Sequence, residues 1–235
     1  MILYVNGDSH GAGAEIANPH AFAEDDPLYW ALGRRPHPDN LKLSYGCELA
    51  NMLGAVLEYD AESASSNDRI IRTTYDYLKN KDAPDLVIIG WSTWEREEWW
   101  DEDTQCHWQV NAGGIGADWP EKIKAGYKNY IANIDMRESM NTAYNKIWKL
   151  HLDLQKQNIK HLFFNTFEPL SQVPESDWTG SYIDPYNPDL TYYNWCIQHG
   201  FNTVNPNSYH FGADAHRAWA EFLYQTYIQK LLTTK

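Results

Sequence analysis

The chain is poor in positive charge, in cysteine and in long apolar runs. Lysine and arginine number 19 against 32 aspartates and glutamates, a formal net charge of −13, and no basic run occurs. This excludes the electrostatic footprint of a nucleic-acid or anionic-membrane partner and leaves a neutral or weakly charged ligand as the expectation. The three cysteines, Cys47, Cys106 and Cys196, are widely spaced and predict free thiols, as in a reducing compartment. Cys106-His107 beside Asp101 and Asp103 matches no metal-ligand spacing, so neither a metal nor a cofactor is expected. No apolar run approaches membrane-spanning length. Met1 leads directly into an apolar strand rather than a leader, which predicts a cytoplasmic location. There is no internal repeat and no low-complexity tract, so residues 1–235 read as one domain.

Aromatics are abundant, with eleven tryptophans and sixteen tyrosines. In so polar a chain they predict aromatic surface for a ligand or partner beyond what a core requires. Six of the tryptophans fall between Trp91 and Trp119, interleaved with Glu95, Arg96, Glu97, Glu98 and Asp101. This insertion follows an apolar strand, so it is expected to border the site. Some of its rings are expected to form a satellite core and others, Trp91 and Trp94 first, to face ligand. Arg96 and Glu98 are unassigned by the sequence, a structural ion pair near the site being one reading.

Short apolar runs at Ile2–Val5, Val56–Tyr59, Leu86–Ile89 and His161–Phe164 alternate with helical periods. Such runs predict buried parallel strands covered by helices: an α/β fold, three layers deep, with a central parallel sheet of about five strands. Residues 12–45 and 167–190 have no sustained period and predict long loops, at the C-terminal edge where ligands bind in open α/β sheets. A last helix carries Ala215, Ala218, Trp219, Phe222 and Leu223 on one face.

The first strand runs straight into Gly7-Asp8-Ser9-His10-Gly11. A serine on a tight glycine turn after a buried strand is placed at that ligand-binding edge. Here the chain resembles the first block of the SGNH, or GDSL, hydrolases, and the resemblance extends to the last block, around His210. It implies a serine esterase with an acyl-enzyme on Ser9 and His210 as base, with His216 the competing choice. Asn207 stands three residues before His210, where the family has aspartate; Asp184, Asp214 or a backbone carbonyl are alternative orienting groups. The oxyanion donors implied are the Ser9 N–H, the Ala64 N–H and Ser92, the last two replacing the family's glycine and asparagine, with Asn67 a substitute donor or a helix cap. His10, Trp91, Trp94 and His216 are the expected substrate-binding side chains. The expected substrate is a small acyl ester, including O-acetyl groups on a carbohydrate. Ser65-Ser66-Asn67-Asp68-Arg69-Ile70 is similar, more loosely, to SGNH-type proteins of tailed phages. That implies the alternative of a non-catalytic carbohydrate-binding or virion structural protein, and virion association.

Overall fold

The computed structural model describes residues 1–17, 35–111, 119–171, 173 and 175–233. Residues 18–34 of the loop expected over 12–45 lie outside the described residues.

The first strand, β1 (Ile2–Asn6), lies inside a parallel sheet between β2 (Val56–Tyr59) and β3 (Leu86–Trp91), and β6 (Lys160–Asn165) pairs with β3 on the far side. Among the described residues the sheet has four strands, where about five were expected. The fifth place is held by a single parallel bridge, Phe163 to Tyr182, with the Phe163 N–H donating to Ser181 O at 2.8 Å and the Ile183 N–H to Phe163 O at 2.9 Å. Pro185 and Pro188 follow closely in that segment. Proline lacks the N–H that a longer ladder requires.

Strand side chains alternate between the two faces. Leu3, Val5, Ile88, Leu162 and Phe164 enter one core, with Leu49 of α2 (Tyr45–Leu53) and Trp219 of α7 (Ala213–Leu223). Tyr4, Val87, Ile89 and Phe163 enter the other, with Ile70 of α3 (Asn67–Asn80) and Leu150 of α5 (Met136–Lys156). These two cores with the sheet between them are the three layers. A four-residue helix, α1 (Pro38–Leu41), precedes α2, and α6 (Tyr192–Gln198) precedes the loop that leads to α7.

The Trp-rich insertion folds as an antiparallel hairpin, β4 (Glu97–Asp101) with β5 (Cys106–Val110), followed by α4 (Glu121–Ala132). Val110, Trp119, Ile123 and Tyr127 make its own small core, with Trp99 and Trp108 packed against it. The hairpin does not hang free. Gln109 accepts the Ser66 N–H at 3.0 Å and donates to Glu98 at 2.7 Å, and Arg72 of α3 grips Glu98 with two bonds of 2.7 Å.

On the α5 side of the sheet, His161 Nδ1 meets Ile159 O at 2.9 Å and His161 Nε2 meets His151 Nδ1 at 2.8 Å. The carbonyl fixes a proton on His161 Nδ1, so His151 Nδ1 carries the proton between the rings and both rings are neutral. Burial pushes both down to about 4. Among the described residues, no helix is long and apolar enough to cross a membrane.

Candidate active site

The end of β1 is anchored before the chain turns. Asn6 takes the Gly7 N–H on its carbonyl at 2.8 Å and donates to Ile70 O of α3 at 3.0 Å. At Gly7 the backbone has φ +157°, and a Cβ there would stand 3.0 Å from Gly90 O of β3. The requirement at this position is closeness to the neighbouring strand, which a side chain would prevent. The next residues close a tight turn, with Ala12 N–H on Asp8 O and Ala14 N–H on Ser9 O, both at 2.9 Å. Glu15 ends the turn in the left-handed region at φ +66°.

Ser9 Oγ lies 2.8 Å from His210 Nε2, across a separation of 201 residues. Glu15 Oε2 lies 2.6 Å from His210 Nδ1. Ser208 Oγ donates to the same carboxylate oxygen and accepts the His210 N–H at 2.9 Å. The loop is closed behind His210 by the Val204 N–H on His210 O at 2.9 Å. A hydroxyl, an imidazole and a carboxylate thus stand in line, each within hydrogen-bond reach of the next, as nucleophile, base and orienting acid must.

The side chain on His210 Nδ1 is that of Glu15, not Asn207. Asn207 is exposed, and its N–H turns back onto Asn205 Oδ1 at 2.9 Å. Asp184 and Asp214 are exposed as well, and Asp184 accepts the Tyr186 N–H at 3.1 Å. Sequence reasoning missed Glu15. The one signal for it was a single acid following the small residues Gly11-Ala12-Gly13-Ala14 directly after the serine.

Asp8 is fully buried beneath the turn. It accepts the His10 N–H at 3.0 Å and meets Arg96 at 3.4 Å. Burial pushes its carboxyl up, against the pull of Arg96, the His10 N–H and the neighbouring imidazole of His210. Arg96 therefore serves Asp8 rather than Glu98, because Glu98 is already held by Arg72 and Gln109.

Ala64 sits in the left-handed region at φ +64°. Its loop is clamped by Arg69, which donates to Asp60 O at 2.9 Å and to Glu62 at 2.5 Å. The N–H groups of Ser9 and Ala64 donate to no acceptor among the described residues. Ser92 is buried, and its hydroxyl has no partner in hydrogen-bond geometry although it adjoins Asp8. The Asn67 side chain is occupied. It takes the Ser92 N–H at 2.9 Å and donates to Ser92 O at 3.0 Å, while Ser66 caps α3 through the Arg69 N–H. Ser66 rather than Asn67 is thus the cap, and Asn67, with one of its two amide hydrogens on Ser92 O, ties the Ala64 loop to the end of β3.

Three of the four expected substrate-binding side chains are placed in the interior. Trp91 is 1% exposed, because β3 runs through it and strand alternation drives its ring onto Phe163 at 5.1 Å. His216 accepts the Tyr45 N–H at 3.2 Å and stacks on that ring, and burial followed by the field of His210 pushes it down to about 3. His10 is packed against Phe167, Tyr192 and His210, with ring centroids 4.7, 5.3 and 4.9 Å away. Burial first, then His210, His216 and Arg96, hold it well below the usual imidazole range, so it is neutral. Trp94 alone of the four is half-buried, beside Glu168 and facing clefts shared with Met136 and Met140. A groove of about 860 Å³ abuts the Ala64 loop through Ala61 and Glu62 and is walled by Arg69, Arg72 and Trp108, but neither Ser9 nor His210 lines it.

No family model matches the chain, and no curated protein matches it. Solved structures do. An acetyl xylan esterase from Butyrivibrio proteoclasticus is similar over 98% of this chain at 14% identity, with a TM-score of 0.50. The chain spans 64% of that esterase's length. A lipolytic protein of the G-D-S-L family from Desulfitobacterium hafniense is similar at 13% identity over 98% of both chains, with a TM-score of 0.36. A carbohydrate esterase family 2 enzyme with a carbohydrate-binding domain, from Corynascus thermopiles (Myceliophthora fergusii), covers 98% of this chain and 66% of its own at 15% identity and a TM-score of 0.44. The four-stranded parallel sheet between two helical layers, with the serine turn at the end of its first strand, is the fold of the SGNH, or GDSL, hydrolases.

Proposed function

We propose that the chain is a serine esterase of SGNH type. The observation that carries this reading is the continuous line from Ser9 Oγ through His210 to the Glu15 carboxylate. In the first step His210 Nε2 takes the Ser9 proton as Oγ bonds to the ester carbonyl carbon. The imidazolium so formed is balanced by Glu15 at Nδ1. The negative charge that develops on the carbonyl oxygen is met by the unengaged N–H groups of Ser9 and Ala64 and by the Ser92 hydroxyl. Collapse expels the alkoxide, which takes its proton from His210 Nε2 and leaves an acyl group on Ser9. Water, deprotonated by the same imidazole, then cleaves the acyl-enzyme and restores Ser9.

The substrate class proposed is a small acyl ester of a carbohydrate. A net charge of −13 disfavours anionic substrates. The fold neighbour named an acetyl xylan esterase points to the same class.

The reading is tested by labelling with a fluorophosphonate probe and by hydrolysis of p-nitrophenyl acetate. Both are expected in the native chain and both are expected to vanish in Ser9→Ala. A folded protein that neither labels nor hydrolyses refutes it.

A further inference from the structure

The loop that delivers His210 to Ser9 also delivers an aromatic ring that the catalytic line does not use. Tyr209 is 65% exposed. Tyr209 is braced from behind rather than loose. Its ring meets Phe167 edge-on at 6.2 Å and Tyr193 at 6.3 Å, and those two rings lie 5.4 Å apart. Phe167 continues the row inward to His10, the residue after the nucleophile, at 4.7 Å. The row of rings runs from solvent to the catalytic turn.

Its side of the site follows from the chemistry. His210 must hand its proton to the departing alkoxide, so the alcohol half of the ester lies on the His210 side of the scissile carbon. The row that starts at Tyr209 ends on His10, whose ring lies 4.9 Å from that of His210, so Tyr209 flanks the alcohol half and not the acyl half. The surroundings fit a sugar. An aromatic face takes an apolar face, and amide and hydroxyl groups around it take hydroxyls. Exposed Asn207 stands two residues before Tyr209. A long alkyl chain calls for an enclosed apolar slot instead, and the Tyr209 ring is open on its outer side.

We propose that Tyr209, backed by Tyr193 and Phe167, is the alcohol-side subsite of the esterase and takes the apolar face of a neutral pyranose. The sugar-binding part stands on the ring geometry; its place in catalysis rests on the esterase reading above.

The test compares kcat/KM on acetylated xylotriose, octyl acetate and ethyl acetate. In Tyr209→Ala the ratio of acetylated xylotriose to ethyl acetate is expected to fall about tenfold, the size of one aromatic stacking contact. Tyr209→Phe, which keeps the ring, is expected to hold that ratio within about twofold of the native chain. An unchanged ratio in Tyr209→Ala overturns the proposal. So does a fall confined to octyl acetate, which would mark an alkyl rather than a sugar subsite. Binding is measured separately by NMR titration of Ser9→Ala with acetylated xylotriose, where adding Tyr209→Ala is expected to raise Kd about tenfold. If the native chain cleaves none of the three esters, the esterase reading fails and the titration alone decides: a Kd indifferent to Tyr209 overturns the subsite.

Discussion

Replacing Glu15 by glutamine isolates the charge of the third catalytic group from its geometry. The amide oxygen of glutamine can still accept from His210 Nδ1 and from the Ser208 hydroxyl, the two donors that Glu15 Oε2 now serves. What disappears is the negative charge facing the imidazolium. The Glu15 and His210 side chains are 13% and 14% exposed, so the pair is neither in bulk water nor in a dry interior. Opposite charges about 4 Å apart attract by about 4 kcal/mol at the effective dielectric of about 20 that suits such a position. At about 1.4 kcal/mol per tenfold, the expected loss is about 10³ in kcat. The same change in another serine triad costs about 10⁴. The assay is steady-state hydrolysis of p-nitrophenyl acetate, with thermal melts to establish that the variant folds. Asp184→Asn and Asp214→Asn, at exposed carboxylates away from His210, are expected to stay within about twofold of native. A folded Glu15→Gln that keeps kcat within about threefold of native refutes the assignment of Glu15 as the charge-balancing acid.

Two further outcomes are expected. His151 and His161 are held at about 4 and His216 at about 3, against an ordinary value of 6.5, so unfolding lets each take up a proton below that pH. Their contribution is therefore complete above pH 6.5 and is lost as the pH falls toward 4, by about 3 kcal/mol for His161 alone. Urea midpoints at pH 7 and pH 5 measure this; equal midpoints contradict it, and the double variant His151→Leu, His161→Leu is expected to narrow the gap. Gln109→Leu leaves the Ser66 N–H without its acceptor. It should cost about 1–3 kcal/mol of stability and lower kcat about tenfold by loosening the loop that carries Ala64. A variant with a lowered melting temperature and native kcat would mean that this loop does not serve the oxyanion.

The layered fold was legible because its strands are short apolar runs bounded by turns. Leu3 and Val5 against Tyr4, and Leu162 and Phe164 against Phe163, already carry the two-faced alternation that divides the cores. That Ser9 and His210 meet was legible through the resemblance of Gly7-Asp8-Ser9 and of the last block to the SGNH hydrolases. Glu15 was not, since its role depends on one left-handed residue at the end of a turn that has no period. The hairpin was hidden for another reason. Trp99 and Trp108 pair across it, but they pack on α4, outside both main cores, so neither strand reads as a continuous apolar run. Trp91 was misplaced because the expected strand stopped at Ile89, two residues short of where the ladder ends.

Serine and carboxylate ride on one tight turn, and only the imidazole must come from afar. A ribosome therefore emits the hydroxyl and the carboxylate almost together. Two hundred further residues must emerge before the ring that arms them arrives. Until then the nascent polypeptide holds two members of the line without the third, and the docking of a single late segment completes it.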